Sequence, residues 1–552
     1  MNRLKISCAA LAAALVCIRL APVPAAAQGQ RRTGQPAAPR LIVMLVVDQL
    51  RGDYLTEYGG TFTAGLRRLT REGAWFTQAA YPYLNTVTCA GHATIGTGTF
   101  PYQHGMILNA WLDRKTGRSP YCTDDATVQD ISYNGLSPGV GDSPALLLRP
   151  SLAEQVLARG GRSVVMSLKP RSSIPVAGHK ATAVVWFDDR GGWSTSSSFT
   201  PEPVPFIKQF LDANPMSAYF GKVWDRSLDP SAYKYTDDGT GERGPTGWSR
   251  IFPHPLGEPN EKSATEFYAR WQRSPYADEY LARMGMAAVD SLKLGQGAAT
   301  DFLGISFSSL DLIGHGYGPR SHEVQDHLVR LDKTLGDLLA HLDKTVGAGN
   351  YVLGLSADHG VAEVPDQSGQ GGRITGKEIG TILNKALIPV LGDGNHVAST
   401  AYTDLYLSEP ARAALNRDKR VFEAAAEALR AIPAIGWVFR GEELATRPAR
   451  ESSDPIRRAA ALSYHKDRSG DVIIVPREGW LLSSSVTTHG THHAYDQRVP
   501  VIVFGASVRA GEYTNAASPA DLAPTLAQVA GVRIARTDGQ PLTVALTATT
   551  EK

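Results

Sequence analysis

Long apolar runs that end at an aspartate recur along the chain. Three of them are residues 41–47 before Asp48, residues 302–307 before Asp311 and residues 351–357 before Asp358. Continuous apolar runs of this length are typical of strands that are buried on both faces, as in parallel sheets. Residues 499–504 form a fourth run, whose early proline suits the first position of a strand or an edge.

Segments with apolar residues at helical spacing separate these runs. They are residues 62–72, 322–345 and 519–530. Strands that alternate with helices predict an α/β fold, a sandwich with a central, mostly parallel sheet flanked by helices. Because ligands bind outside the carboxyl ends of strands in such sheets, we expect the three aspartates to meet at one edge.

Two long stretches fit this alternation poorly. Residues 175–275 are rich in Gly, Pro, Ser, Trp and Tyr, and we expect them to form an inserted cap over the site. Residues 366–480 begin with a glycine-rich loop and continue with a separate α/β pattern that includes a helix over 421–431. We therefore expect one principal domain over residues 40–552, with a cap and an accessory subdomain inserted.

The N-terminus has the pattern of a secretory signal peptide. Basic Arg3 and Lys5 precede the apolar run 6–18, and small residues follow up to Ala27. We expect cleavage near Ala27, then a flexible lead-in over 28–39, and a mature protein without a membrane span in the periplasm or outside the cell. The formal charge of the whole chain is only +2, which argues against a nucleic-acid-binding surface.

The cysteine content limits the chemistry of any metal site. Cys8 and Cys17 belong to the predicted signal peptide, which leaves Cys89 and Cys122. Their spacing does not decide whether they form a disulfide, although an oxidising compartment would permit one. Two cysteines cannot form a zinc–cysteine cluster, so a metal would depend mainly on His and Asp.

Histidines accompany the strand-end aspartates. The six candidate ligands are Asp48, Asp311, His315, Asp358, His359 and His489. Oxygen and imidazole ligands favour zinc, with manganese or iron as alternatives. Six ligands are too many for one tetrahedral ion but suit two ions about 4 Å apart. Alone, a residue of these types is more often part of a helix cap, a turn or a solvated loop than a ligand, so the prediction depends on their convergence.

A hydroxyl and two cations are candidates for substrate chemistry. Thr88 precedes a run of small residues at the start of a predicted helix, where a nucleophile is favourably placed for an anion. The alternatives are that Thr88 only caps that helix, or that Cys89 is the nucleophile. Lys169 and Arg171 follow the predicted strand 163–168, and both could bind an anion or form a solvated basic turn.

In their order, these segments resemble the alkaline phosphatase superfamily over most of the mature chain. The resemblance rests on Asp311 with His315, on Asp358-His359-Gly360 and on Thr488-His489-Gly490. It implies an alkaline-phosphatase-like fold and two zinc ions. One ion would be bound by Asp48, Asp358, His359 and the nucleophile Thr88, and the other by Asp311, His315 and His489.

The same resemblance implies the activity. A threonine nucleophile is typical of nucleotide pyrophosphatase/phosphodiesterases and of an atypical branch of secreted alkaline phosphatases. Asn109 matches the phosphate-binding asparagine of both groups, whereas Lys169 and Arg171 match the Lys-x-Arg pair of the monoesterases. We therefore expect a zinc-dependent alkaline phosphatase that hydrolyses small phosphate monoesters through a phosphothreonine. A third, magnesium site is not expected, because Ser306 replaces its key carboxylate.

Three other functions remain open from the sequence. The nearest is a phosphodiesterase or nucleotide pyrophosphatase with the same bimetallic site. A metal-dependent phosphomutase fits less well, because a signal peptide would separate it from cytosolic sugar phosphates. The third is a non-catalytic exported protein that binds metal or phosphate.

Overall fold

The alternation of apolar and amphipathic segments forms a single layered unit over residues 38–547. The computed structural model describes residues 38–134, 140–188, 191–257 and 264–547. The predicted signal peptide, residues 1–27, and all but the last two residues of the lead-in lie outside the described residues.

The strands follow one another in this chain order. They are β1 (Leu41–Val47), β2 (Ala74–Phe76), β3 (Asp130–Ser132), β4 (Ser163–Ser167), β5 (Ala183–Asp188), β6 (Gly192–Ser196), β7 (Val223–Trp224), β8 (His254–Pro255), β9 (Asp301–Phe307), β10 (Tyr351–Ser356), β11 (Gly372–Arg373), β12 (Val397–Ala401), β13 (Asp404–Leu407), β14 (Ile435–Arg440), β15 (Val472–Pro476), β16 (Trp480–Leu481), β17 (Val501–Gly505) and β18 (Gly511–Tyr513).

The α-helices lie between these strands. They are α1 (Tyr54–Glu57), α2 (Gly65–Glu72), α3 (Thr88–Thr97), α4 (Pro101–His104), α5 (Leu152–Ala158), α6 (Pro170–Ala177), α7 (Pro205–Ala213), α8 (Ala264–Gln272), α9 (Pro275–Leu292), α10 (Ser309–Tyr317), α11 (His322–Leu342), α12 (Pro365–Ser368), α13 (Gly376–Leu391), α14 (Glu409–Arg417), α15 (Lys419–Arg430), α16 (Gly441–Leu444), α17 (Arg447–Arg450), α18 (Pro455–Ser463), α19 (Ala494–Gln497) and α20 (Leu522–Ala530).

The central sheet confirms the predicted α/β fold. Its ten strands have the order β18-β2-β17-β10-β1-β9-β4-β5-β6-β3. The five central strands, β10, β1, β9, β4 and β5, are parallel to one another. On either side of them, β17 is antiparallel to β10 and β6 is antiparallel to β5. The apolar run at 499–504 therefore forms an antiparallel strand, β17, which starts one residue after Pro500.

Burial of both faces explains the continuous apolar sequence of β1. Leu41, Val43 and Leu45 belong to the core on one face of the sheet, and Ile42 and Met44 belong to the core on the other. Because successive side chains of a strand point to opposite faces, a strand between two helical layers needs apolar residues at every position.

The two stretches that depart from the alternation have different structures. Within residues 366–480, strands β12, β13, β15 and β14 form a separate four-stranded sheet with a core of its own. Within residues 175–275, β5 and β6 belong to the central sheet, so the segment expected as a cap is shorter than its sequence suggested. The glycine and serine content of this stretch obscured the strand character of β6, which pairs with β5 and β3.

Candidate functional site

The strand-end aspartates meet at one edge of the sheet. Asp48 directly follows β1, Asp311 lies in the first turn of α10 after β9, and Asp358 follows β10. β1 pairs in parallel with β9 and β10, with Val46 opposite both Ser306 and Ser356. Because neighbouring strands in this register end at the same height, their following residues converge.

The six candidate ligands form one buried cluster. His359 Nε2 lies 3.2 Å from Asp358 Oδ2 and 3.5 Å from Asp48 Oδ1. Asp311 Oδ1 lies 3.2 Å from His315 Nε2 and 3.7 Å from His489 Nε2. The rings of His359 and His489 stack with centroids 3.4 Å apart. Within the cluster His315 is half-buried, and the other five residues are buried.

Two triplets in this cluster have the spacing of a metal site. The ligand atoms of Asp311, His315 and His489 lie within 4.8 Å of one another, as do those of Asp48, Asp311 and His359. The first triplet is the set that the resemblance implies. The second triplet contains Asp311, whereas the resemblance implies Asp358 in that position. Asp358 lies beside the same nitrogen, His359 Nε2.

Main-chain carbonyls orient the three imidazoles. They accept hydrogen bonds from Nδ1 of each ring: Thr487 O from His315 at 3.0 Å, Gly360 O from His359 at 3.0 Å and Thr86 O from His489 at 2.9 Å. When Nδ1 carries the proton and donates it in a hydrogen bond to a carbonyl, Nε2 is the unprotonated nitrogen of the neutral ring. All three Nε2 atoms therefore face the carboxylates, and each can ligate a metal when its ring is neutral.

The neighbouring histidines of the same segment point elsewhere. The ring of His492 packs against Trp437 of β14, and His493 Nε2 donates to Pro476 O at 3.0 Å. Among the three histidines of residues 489–493, only His489 faces the aspartates, which agrees with the residue that the resemblance implies.

The electrostatics of the cluster reflect crowded carboxylates. Burial, together with repulsion from Asp311 and Asp358, raises the pKa of Asp48 to about 7. Burial lowers the pKa of His359, but Asp358 and Asp48 outweigh it and raise that pKa to about 9. Asp48 Oδ1 and Asp358 Oδ2 are buried without a hydrogen-bond partner among the described residues. These two carboxylate oxygens are therefore available to ligate a bound cation.

Thr88 is the first residue of α3 and is buried against this cluster. Val87 is the N-cap residue, so Thr88 does not fill the capping position that we considered for it. Thr88 Oγ1 lies 3.5 Å from His359 Nε2. The hydroxyl is therefore at a helix N-terminus and beside the candidate metal ligands at the same time.

A disulfide and Asn109 hold the start of α3. Cys89 is bonded to Cys122, so its thiol is not free to act as the alternative nucleophile. Asn109 Oδ1 accepts a hydrogen bond from Cys89 N at 2.9 Å, and Asn109 O accepts one from Cys122 N at 2.9 Å. These contacts place the side-chain amide of Asn109 next to Thr88.

Lys169 lies among the carboxylates rather than in a solvated turn. Its Nζ donates to Asp48 Oδ2 at 2.7 Å and to Asp311 Oδ2 at 2.6 Å. Burial lowers the pKa of Lys169, but the two aspartates raise it above its usual value. Arg171 lies in the first turn of α6, half-buried, and its charge acts on Lys169. Arg171 Nε is buried and has no hydrogen-bond partner in the described part of the chain.

The sequence reasoning missed two buried polar residues of the site. His92 Nδ1 lies 2.8 Å from Thr88 O and 3.2 Å from Asp358 Oδ2, and its Nε2 lies 2.7 Å from Ser306 Oγ. Its position one helical turn after Thr88 was a usable signal, since residues four apart share a helix face. Gln49, next to Asp48, is the second missed residue. Nothing in the sequence around it indicates its contacts with Asp311 and Asp358.

The fold and the site define an enzyme of the phosphate-ester hydrolase class, and comparison with known proteins specifies the family. Residues 42–496 match the family model for type I phosphodiesterase / nucleotide pyrophosphatase. The chain therefore belongs to that family, which confirms the resemblance to the alkaline phosphatase superfamily.

Two relatives and one solved structure cover nearly the whole chain. Alkaline phosphatase PafA of Elizabethkingia meningoseptica is 32% identical over 93% of this chain and 96% of its own. A protein named calcium-transporting ATPase, from Myroides odoratus, is 33% identical over 89% of this chain and 91% of its own. The crystal structure of wild-type PafA matches with a TM-score of 0.84 and 31% identity, over 92% of this chain and 99% of that one.

None of the helices in the described residues combines the length and the apolar character needed to cross a membrane.

Proposed function

We propose that this chain is an exported, zinc-dependent alkaline phosphatase that hydrolyses phosphate monoesters through a phosphothreonine at Thr88. One observation carries the proposal: the Thr88 hydroxyl, at a helix N-terminus, lies 3.5 Å from His359 Nε2 within a set of three aspartates and three histidines, all buried except the half-buried His315. The name of the PafA relative supports the monoesterase activity. The signal-like N-terminus and the disulfide support export to an oxidising compartment.

The donor atoms fit two divalent cations. Asp48 Oδ1 and Asp358 Oδ2 are buried and accept no hydrogen bond from the described residues, and the Nε2 atoms of three imidazoles face the same space. Carboxylate and imidazole donors are typical ligands of zinc. We assign Asp48, Asp358 and His359, with Thr88, to one ion and Asp311, His315 and His489 to the other.

Bound zinc ions would lower the pKa of a neighbouring hydroxyl and neutralise negative charge on the leaving oxygen. The chain supplies the rest of the reaction. Thr88 Oγ1 loses its proton to solvent and attacks phosphorus; a bond from Oγ1 to phosphorus forms, the bond to the ester oxygen breaks, and the leaving alkoxide takes a proton from solvent to become the alcohol. Water then hydrolyses the phosphothreonine, which releases phosphate and restores the hydroxyl.

Residues around Thr88 would bind the phosphoryl oxygens. The first main-chain N–H groups of α3 favour an anion at that position. Cys89 N–H donates to Asn109 Oδ1, so the side-chain amide of Asn109 is oriented by its oxygen and its N–H groups can donate to the substrate. No third, magnesium site is part of the proposal, because Ser306 Oγ and His92 Nε2 already bond to each other at 2.7 Å.

Lys169 and Arg171 favour monoesters over diesters. A monoester carries one more anionic oxygen than a diester, and charge-assisted hydrogen bonds to that oxygen are strong. Lys169 is buried beside the proposed reaction site, and Arg171 Nε, in the same turn, has no hydrogen-bond partner among the described residues. The description of the family model favours a phosphodiesterase as the second candidate, and a diester in place of the monoester would leave a cation uncompensated.

Turnover by the zinc-loaded protein tests the proposal. We expect rapid hydrolysis of a chromogenic phosphate monoester and slow hydrolysis of the matched diester. Thr88→Ala should abolish turnover while zinc content stays near two per chain, and Thr88→Ser should keep measurable activity. Full activity of Thr88→Ala would refute the nucleophile, and bound zinc without turnover in the native chain would indicate a binding protein.

Substitution of both cations separates the two esterase activities. Lys169→Ala with Arg171→Ala should reduce monoester kcat/KM far more than diester kcat/KM. Equal losses for the two substrates would contradict the role that we give to this pair.

A further inference from the structure

Gln49 has an unusual backbone conformation at the edge of the site. It directly follows Asp48, is 1% exposed and has a φ of +69°, in the left-handed region. Residues other than glycine are disfavoured in this region, and they adopt it only where contacts with the surrounding structure stabilise the conformation. A buried, strained glutamine beside a candidate ligand therefore needs an explanation.

The conformation lets Gln49 reach one carboxylate from each proposed ligand set. Its main-chain N donates to Asp358 Oδ1 at 3.1 Å, and its side-chain Nε2 donates to Asp311 Oδ1 at 2.7 Å. Asp358 belongs to the proposed ion site that contains Thr88, and Asp311 belongs to the other. Gln49 is thus bonded to both sets and is covalently attached to Asp48.

We infer that Gln49 is a positioning residue that fixes the carboxylates of the two ion sites relative to each other. This inference rests on the proposed function, since it concerns the ligand sets assigned there. The amide donates without adding a negative charge to three aspartates. Its main-chain bond goes to Asp358 Oδ1, while Asp358 Oδ2 accepts no hydrogen bond from the described residues, so that oxygen stays available to a cation. Hydrogen bonds of this kind orient metal ligands and affect metal affinity.

Gly314 makes room for the glutamine side chain. It lies on α10 between Asp311 and His315, and a Cβ built on it would lie 1.9 Å from Gln49 Oε1. An alanine here would therefore displace the end of the Gln49 side chain. Because that end is flexible, the displacement disturbs the Asp311 contact without disrupting the surrounding fold.

Zinc titration of the full chain tests the inference. Metal-free native protein, Gln49→Met and the exposed control Gln296→Met are titrated with zinc against a competing chelator. Methionine keeps the length of the side chain but lacks its donor. We expect Gln49→Met to bind one of two zinc ions about 10–100-fold more weakly, whether or not the loss of a buried hydrogen bond also lowers the thermal midpoint of the metal-free protein. Gln296→Met should match the native chain.

A cobalt(II) spectrum separates positioning from general stability. Cobalt in the two sites reports ligand geometry through its visible absorption, and we expect Gln49→Met to alter that absorption. Native zinc affinity and a native cobalt spectrum in Gln49→Met would overturn the inference.

Gly314→Ala perturbs the same contact from the opposite side, and keeps the inference testable if Gln49→Met fails to fold. It should weaken zinc binding in the same direction. In a Gln49→Gly background the alanine meets no side chain, so Gly314→Ala should add no further loss. A full additional loss there would overturn the coupling between the two residues.

The native titration distinguishes the two proposals. A native chain that binds no zinc would refute the proposed function, and this inference with it. Two zinc ions bound equally well by native protein and Gln49→Met would refute only the role of Gln49.

Discussion

The disulfide beside the proposed nucleophile has a stability effect that follows from chain length. Cys89 and Cys122 are 33 residues apart, and closing a loop of this size lowers the entropy of the unfolded chain by an amount worth about 4 kcal/mol at 25 °C. Reduction of the disulfide, or Cys89→Ala with Cys122→Ala, should therefore lower the free energy of unfolding by about 4 kcal/mol.

The effect on catalysis should be smaller. Main-chain N–H groups of Cys89 and Cys122 still donate to Asn109 when the cross-link is absent. These bonds keep Asn109 beside Thr88 in the folded protein, so we expect kcat/KM to fall by no more than about tenfold, or about 1.4 kcal/mol.

Urea unfolding of the metal-free protein and monoester hydrolysis at 25 °C measure the two effects. The native chain with and without reductant is the matched comparison, because it keeps both sulfur atoms and changes only the cross-link. An unchanged unfolding free energy would refute the loop-entropy argument. A loss of activity of a hundredfold or more in folded protein would show that the disulfide, rather than the hydrogen bonds, holds Asn109.

Three further predictions concern metal content, helix anchoring and pH. His489→Ala should retain about one zinc ion of two, whereas His492→Ala should retain both; equal zinc contents by elemental analysis would contradict our ligand assignment. Asp332 accepts four main-chain N–H bonds at the start of α2, so Asp332→Ala should cost about 3 kcal/mol in urea unfolding, and the exposed Asp337→Ala almost nothing. Burial and the neighbouring Asp142 raise the pKa of Asp130 to about 8. The folded state thus favours protonated Asp130. The free energy of unfolding should therefore fall as pH rises from the pKa of Asp130 in the unfolded chain to above 8, and Asp130→Asn should flatten that decline. An identical pH profile of stability in the variant would disprove this prediction.

The local parts of the site were predictable because they depend on neighbours in the chain. A continuous apolar run indicated that β1 is buried on both faces, and Asp48 at its end indicated a carboxylate at the edge of the sheet. Asp311 and His315, four residues apart on α10, lie on one helix face, as their spacing predicts.

Other features depended on partners far away in the chain. Residues 192–196 pair with the neighbouring β5 and also with β3, about 60 residues earlier in the chain, and the sequence did not indicate the second pairing. The sequence also left the pairing of Cys89 and Cys122 open, because spacing does not determine the distance between two side chains. The second metal-like triplet contains Asp311 and not Asp358, which depends on the placement of side chains within the cluster.

By itself the sequence determined which chemistry was available: aspartates at strand ends, histidines at fixed offsets, a threonine before small residues and a pair of cations. Only the tertiary structure decided that Lys169 reaches Asp48 and Asp311, and that Gln49 reaches Asp311, 262 residues away. The physical reason is that apolar periodicity and turn chemistry act over a few residues. Distances between buried polar groups instead depend on how the sheet register and the helical layers pack.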